Sequence, residues 1–268
     1  MFYSAVKRVL PLLLLFILAL DIHAARVISL SPAVTEIICQ LGGFSQLAGR
    51  SRVCNYPQEV QTLPVAGDLG MPEIETILKL KPDYVLSDIA APHPGWELLQ
   101  KLGIKVEIFS AANLQDYEKT VRRLGEILDC PEAAQNEIDR FYRALATQPS
   151  LPRKGNVLIL LGLLPPVSCS GNTFIHHVIS QAGAVNIFET ARTDYFQVSP
   201  ELLSGKKVDF VIISGIPGFN GELPEVLAEV LGSAKIITAE PADLYLRLGP
   251  RLPEGIRMLY LQLKEKSN

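Results

Sequence analysis

The chain has 268 residues, of which 48% are hydrophobic and 20% are charged, and its formal net charge is −3. This composition excludes a disordered or low-complexity protein and supplies enough apolar side chains for one large core or two smaller ones. The sequence contains no run of Lys and Arg that would form a basic stripe, so we expect no nucleic-acid partner.

The first 24 residues have the features of a secretory signal peptide. Lys7 and Arg8 precede an apolar run over residues 9–20, and a polar-to-small stretch follows. An uncleaved membrane anchor is the alternative, but the run is shorter than the roughly 20 residues that span a bilayer. We therefore expect cleavage after Ala24 and a periplasmic protein without a lipid anchor, since no cysteine lies at the junction.

The order of apolar runs and helical patterns predicts an α/β fold in two similar halves. In the first half, strands are predicted at 26–30, 47–49, 84–87 and 106–109, and helices at 31–41, 74–80 and 96–102. In the second half, strands are predicted at 157–161, 210–214 and 236–238, and helices at 172–182, 223–231 and 253–264. Such alternation is typical of a sandwich with a mostly parallel sheet.

A helical connection is predicted between the halves. Asn113 is a suitable N-cap for a first apolar repeat, and Pro131 begins a second repeat after a short interruption. The second run alone would reach about 27 Å, which suits a stiff strut between two lobes. The predicted domains are a signal peptide at 1–24, an N-terminal lobe at 25–112, the connection at 113–150 and a C-terminal lobe at 151–268.

A short signature occurs once in each half. Glu75 lies eight residues before Asp83, and Glu201 lies eight residues before Asp209, each time in a helix-then-strand context. We interpret the two glutamates as equivalent positions on the two lobes. The alternative is that both are ordinary solvated residues on helix surfaces.

Several longer stretches form a set that extends over most of the chain. They are RVISLSPAVTEI at 26–37, CNYP at 54–57, IE at 74–75 with LKPDYV at 80–85, GNTFI at 171–175, GAVNIF at 183–188, and VSPE at 198–201 with VDFVI at 208–212. This set resembles the periplasmic binding proteins that feed ABC importers for ferric siderophores, heme and cobalamin. The opening motif and the helical connection look closest to the cobalamin-binding members.

The resemblance implies two Rossmann-like α/β lobes joined by a long rigid helix, with the ligand in the cleft between them. It also implies a monomer that performs no chemistry, has no cofactor of its own, and docks on a permease dimer served by an ATPase. Glu75 and Glu201 look similar to the family's two docking glutamates. Such carboxylates would pair with arginines on the permease and would set the orientation of docking.

For the ligand, the resemblance points to Asp243 and Arg247, which keep the i, i+4 spacing of an Asp–Arg pair in the cleft of the cobalamin-binding members. Asp accepts from amide N–H groups and Arg donates to oxygen, so the pair suits a ligand that carries amides or a phosphate. A surface ion pair is the alternative reading of this spacing. Tyr195 matches an aromatic position at the rim of the C-terminal lobe and would lie flat against a macrocycle.

The chain also departs from the cobalamin-binding members. Val53, Asp68, Asp88 and Val167 occupy positions where those members place large aromatic residues. The ligand is therefore expected to be cobalamin or another corrinoid, with a ferric siderophore or heme as the alternative.

Other residue types give little indication of chemistry. The four cysteines, Cys39, Cys54, Cys130 and Cys169, allow up to two disulfides whose pairing stays open. His93, His176 and His177 lack the spacing of a metal cage, and Trp96 is expected to pack in a core. No catalytic motif is found, so an enzyme is a weaker hypothesis, as is a binding protein reused as a sensor.

Overall fold

The computed structural model describes residues 24–89, 92–148, 155–216 and 218–267. The predicted signal peptide, apart from Ala24, lies outside the described residues. Within the described ranges, no helix is both long and apolar enough to cross a membrane.

The N-terminal lobe is built on a six-stranded sheet. Its strands are β1 (Val27–Ser29), β2 (Leu47–Ser51), β3 (Val65–Asp68), β4 (Met71–Pro72), β5 (Tyr84–Ser87) and β6 (Lys105–Ile108), in the spatial order β4-β3-β2-β1-β5-β6. Its helices are α1 (Pro32–Gln40), α2 (Ile74–Leu80) and α3 (Pro94–Lys101). All strand pairs are parallel except β3 with β4. The segments that follow β1, β2 and β5 therefore leave the sheet at one edge.

Local sequence explains where α1 begins. Ser31 is extended, and its hydroxyl accepts a hydrogen bond from the Val34 N–H at 3.2 Å, while Pro32 occupies the first helical position. Each of these features favours a helix start. The helix is buried along almost its whole length, from Pro32 to Ile38.

The C-terminal lobe repeats this plan. Its strands β7 (Asn156–Leu160), β10 (Val185–Asn186), β12 (Phe210–Ile213) and β13 (Lys235–Thr238) form a parallel sheet in the order β10-β7-β12-β13. Its helices are α6 (Phe174–Gln181), α7 (Pro200–Leu203), α8 (Glu225–Leu231) and α9 (Leu252–Ser267). In sheet position, β7 corresponds to β1 and β12 corresponds to β5.

A second sheet in the C-terminal lobe was not predicted. Strands β8 (Gly162–Leu163), β9 (Pro166–Cys169) and β11 (Tyr195–Gln197) form an antiparallel sheet in the order β11-β9-β8. These strands are two to four residues long. Segments this short, with adjacent prolines at the hairpin, show no readable alternation of apolar and polar residues.

The helical connection consists of two helices that fold back on each other. They are α4 (Leu114–Ile127) and α5 (Pro131–Ala146). The rings of Tyr117 and Phe141 stack with centroids 3.9 Å apart, and Arg122 donates to Gln135 at 2.9 Å. The first contact joins the start of α4 to the end of α5, and the second joins the later half of α4 to the start of α5, so the helices are antiparallel. The connection is therefore a helical hairpin, in which α5, with 16 residues, is about 24 Å long.

One apolar core extends through both lobes. It contains side chains of α1 and β1 in the N-terminal lobe, of α4 and α5 in the connection, and of β7, β12, α6 and α9 in the C-terminal lobe. Two smaller clusters lie on the outer faces of the two sheets, and Trp96 packs in the N-terminal one. Since the shared core crosses the lobe boundary, large relative motion of the lobes would expose apolar surface to water.

The aspartates of the repeated signature have equivalent structural roles. Asp83 accepts a hydrogen bond from the Arg26 N–H at 2.7 Å, and Asp209 accepts one from the Asn156 N–H at 2.8 Å. Each carboxylate thus fixes the start of the first strand of its lobe. The bond from Asn156 lowers the pKa of Asp209, and a hydrogen bond from Lys207 lowers it further, whereas partial burial opposes the shift.

We predict that Asp209→Ala lowers the free energy of unfolding by about 1–2 kcal/mol at pH 7, because a charge-assisted hydrogen bond is lost. The folded-state pKa lies below the ordinary value of 3.8, so the contribution is present above that value and is lost as pH falls through the folded-state pKa. Urea unfolding from pH 7 downwards should show the difference between the two proteins shrinking in acid. Glu229→Ala, on the exposed face of α8, is the control. Equal effects of the two substitutions would contradict the assignment.

Candidate functional site

The two lobes meet at the edge where their parallel strands end. In open α/β sheets, ligands bind outside the carboxyl ends of the strands. From the C-terminal lobe, the segment 239–251 follows β13 and reaches the N-terminal lobe. There it contacts α1 and the loop that follows β2.

Glu36 on α1 is the centre of this contact. Its side chain is only 1% exposed, and it binds two arginines from the C-terminal lobe. Oε1 accepts from Arg247 and from Arg251, both at 2.7 Å, and Oε2 accepts from Nε of Arg251 at 2.8 Å. A buried carboxylate needs such partners, because an unpaired charge away from water is very costly.

A second set of bonds surrounds Arg247. Asn55 accepts from Arg247 at 2.8 Å and donates to Asp243 at 2.9 Å, and Asp243 lies 2.8 Å from Arg247. These three side chains close a ring that spans the lobe boundary. Arg251 also lies over the ring of Tyr56, with its guanidinium carbon 3.8 Å from the centroid, which is a cation–π geometry.

We name the set Glu36, Asn55, Asp243, Arg247 and Arg251 the inter-lobe cluster. It holds two carboxylates and two guanidinium groups, so its formal charges cancel. The i, i+4 pair predicted from the sequence is therefore present, and it lies between the lobes instead of on an open surface. Its role in ligand binding stays a prediction.

The other predicted ligand residues of the N-terminal lobe differ in their contacts with this cluster. Val53 is 40% exposed, and its carbonyl is 3.5 Å from Arg247. Asp68 is partly exposed and lies 3.8 Å from Arg52. Burial raises the pKa of Asp88, while a hydrogen bond with Ser31 and the charge of Arg247 act in the opposite direction.

Val167 and Tyr195 lie on the antiparallel sheet of the C-terminal lobe. Val167 in β9 pairs with Gln197, and Tyr195 in β11 pairs with Cys169. Tyr195 is 48% exposed, and desolvation raises its pKa to about 12. None of the hydrogen bonds or ion pairs described for the chain joins either residue to the inter-lobe cluster.

The two predicted docking glutamates are equivalent in the structure. Glu75 lies in the first turn of α2, and Glu201 lies in the first turn of α7. Both are exposed, and a hydrogen bond with Ser199 lowers the pKa of Glu201. An acidic residue at a helix N-terminus is stabilised there by the helix dipole.

Three residues of the cluster were missed from the sequence, namely Glu36, Asn55 and Arg251. Glu36 and Asn55 lie within stretches that carried the family resemblance, but nothing in those stretches names their partners. A signal for Glu36 does exist, since it is a lone carboxylate in the apolar face of a helix. Such a residue must find a cation elsewhere in the fold.

The histidines and cysteines, which gave little indication of chemistry in the sequence, form no metal site or disulfide within the described residues. His93 is the N-cap of α3, where its Nδ1 accepts from the Gly95 N–H at 3.0 Å. In the described part of the chain, no group of three or more His, Cys, Asp or Glu side chains could hold a metal ion. The four cysteines, all of which are described, are unpaired.

We predict that Glu36→Ala lowers the free energy of unfolding by about 3–5 kcal/mol, because two largely buried guanidinium groups lose the carboxylate that they share. Glu118→Ala is the matched control: Glu118 pairs with Arg122 on the surface of α4 and should contribute less than about 1 kcal/mol. Chemical denaturation monitored by circular dichroism measures both values. Similar losses in the two variants would show that the inter-lobe pairing does not carry the expected energy.

Known proteins resemble this chain over nearly its full length. A vitamin B12-binding protein of Yersinia pestis (strain Pestoides F) is 29% identical over 264 residues, which cover 96% of this chain and 92% of that protein. The periplasmic vitamin B12-binding protein BtuF of Vibrio cholerae superposes with a TM-score of 0.71 at 24% identity, covering 91% of this chain and 98% of its own. The periplasmic heme-binding protein RhuT from Roseiflexus sp. RS-1, in apo form, superposes with a TM-score of 0.77 at 23% identity, covering 91% and 100%.

At these identities the two solved structures show a shared fold of two α/β lobes. A family model described as "Periplasmic binding protein" matches residues 27–238, which is more than half of the chain. This chain therefore belongs to the periplasmic binding protein family.

Proposed function

We propose that this protein is the substrate-binding component of an ABC importer and that it captures cobalamin or a related corrinoid between its lobes. The observation that carries the proposal is the Asp243–Asn55–Arg247 ring at the lobe boundary. Within it, a carboxylate and a guanidinium face each other at the edge where ligands bind in α/β folds. The relatives named as vitamin B12-binding proteins support the same ligand.

The chemistry of the ring suits the amide side chains of a corrinoid. Asp243 accepts from amide N–H groups, Arg247 donates to carbonyl or phosphate oxygen, and Asn55 does both. The exposed ring of Tyr195 offers a flat apolar face for a macrocycle. Val53, Val167 and the carboxylates of Asp68 and Asp88 complete the proposed set of ligand contacts.

The proposal extends to the location, the oligomeric state and the lobe boundaries of the protein. The protein acts as a monomer in the periplasm after removal of residues 1–24, it has no cofactor or bound metal of its own, and it catalyses no reaction. The lobes correspond to 25–112 and 151–268, with the helical connection at 113–150. A sensor or an extracytoplasmic enzyme on this fold would be indicated by ligand binding without transport or by turnover of the ligand.

Heme or a ferric siderophore is the second candidate ligand. The similarity to RhuT supports heme, and positions 53, 68, 88 and 167 lack the large aromatic residues of the cobalamin-binding members. Aromatic stacking contributes strongly to the binding of large ring systems, so its loss on one side weakens the corrinoid proposal.

The ligand is tested by isothermal titration of the purified protein with cyanocobalamin, cobinamide, hemin and a ferric siderophore. We expect submicromolar corrinoid binding that weakens by roughly 10-fold or more in Arg247→Ala, because a charged donor to the ligand is lost. Arg123→Ala, which removes an ion pair with Glu107 on the surface of α4, should leave binding unchanged. Tight hemin or siderophore binding without corrinoid binding would overturn the corrinoid assignment.

Docking is tested by reversing the charges of Glu75 and Glu201. We expect the double variant Glu75→Lys, Glu201→Lys to lose permease-dependent ligand uptake, since like charges would then face the arginines proposed on the permease. Its ligand affinity should stay at the wild-type value, because both residues are exposed in the first turns of α2 and α7. Weakened ligand binding, or normal uptake, would refute the docking role. Glu97→Lys, on the exposed face of α3, is the control.

A further inference from the structure

We propose that Glu36 and Asp243 set the charge selectivity of the cleft: they neutralise Arg247 and Arg251, so that the site accepts an uncharged, amide-bearing macrocycle and rejects one that carries carboxylates. The proposal deepens the corrinoid-binding function and rests on its placement of the ligand beside Arg247. Glu36 is a positioning and selectivity residue in this account, since its buried side chain does not touch the ligand.

Both arginines of the inter-lobe cluster are already paired. Arg247 donates through one nitrogen to Glu36 and Asn55, and its other terminal nitrogen lies 2.8 Å from Asp243. Arg251 uses two nitrogens on Glu36. Neither guanidinium has the free, uncompensated fork that binds a carboxylate bidentately.

Asp243 is more exposed to a ligand than Arg247 is. The side chain of Asp243 is 31% exposed and that of Arg247 is 12% exposed, so a ligand meets the carboxylate more than the guanidinium. Asp88 adds a second carboxyl group close enough to Arg247 to be influenced by its charge. A ligand carboxylate would therefore meet the Asp243 carboxylate first, beside an arginine that is already paired.

Neighbouring cations do not change this balance. Arg50 bonds through its terminal nitrogens to the carbonyls of Ser51, Arg52, Cys54 and Gln61, all within its own loop. Arg52 is 72% exposed and lies near Asp68. Both arginines thus have acceptors of their own within the N-terminal lobe.

The test is to remove the buried negative charge while keeping its shape. Glu36→Gln leaves an oxygen for the arginines but frees one positive charge in the inter-lobe cluster. Hemin, which carries two carboxylates, and cyanocobalamin, which carries amides, are titrated into both proteins. We expect the affinity for hemin to rise about tenfold or more in the variant, while the affinity for cyanocobalamin changes less than threefold.

The matched control is Glu137→Gln. Glu137 is also buried and also binds one arginine through both oxygens, Arg140 at 2.7 Å, but it lies in the helical hairpin, where it accepts from Tyr117. The Glu137→Gln variant should bind hemin and cyanocobalamin with wild-type affinities. A second variant, Asp243→Asn, removes the other negative charge of the cluster and should also raise the affinity for hemin. Because Asp243 is partly exposed, this variant serves as the test if Glu36→Gln folds poorly.

The outcomes separate this inference from the proposed function. Unchanged hemin affinity in both Glu36→Gln and Asp243→Asn, or an equal gain in Glu137→Gln, overturns the inference whatever the natural ligand is. Tight hemin binding by the wild-type protein overturns it as well. A wild-type protein that binds no corrinoid, with a gain of hemin binding in the variants, overturns the proposed ligand and leaves the charge selectivity standing.

Discussion

The buried carboxylate of Glu36 is the interaction on which the arrangement of the two lobes depends. It lies on α1, in which residues 32–38 are all buried. Its partners, Arg247 and Arg251, are 211 and 215 residues away in the chain. An isolated carboxylate at this position would not be tolerated, because desolvation of a charge outweighs most single favourable interactions. The segment after β13 must therefore reach the N-terminal lobe, and the relative position of the lobes follows from that contact.

Apart from this contact, the two lobes are built on a common plan. The four-strand order β2-β1-β5-β6 recurs as β10-β7-β12-β13, and in each lobe an aspartate accepts a main-chain N–H at the start of the first strand. The shared apolar core and the antiparallel α4–α5 hairpin join the copies into one unit. Such a unit favours a cleft whose walls are fixed before the ligand arrives, which reduces the entropy lost on binding.

Much of the fold could be predicted because its signals are local. Asn113 is an N-cap whose side chain accepts a main-chain hydrogen bond, as predicted, and the helix at 74–80 has the predicted bounds. The antiparallel sheet of the C-terminal lobe was missed, since its strands are too short to show a period. The partners of Glu36 were missed for a different reason. Spacing within one helix reveals that a charge is buried, but only tertiary structure reveals which distant residue compensates it.

The long sequence separation of the Glu36 contacts also bears on how the chain folds. The N-terminal lobe contains all of its own strands by Ile108, yet its buried carboxylate has no described cation until the segment near Arg251 is in place. Contacts this distant in sequence close late, because the entropy of a large loop must be lost first. The first lobe therefore lacks the charge compensation of Glu36 until nearly the whole polypeptide is available.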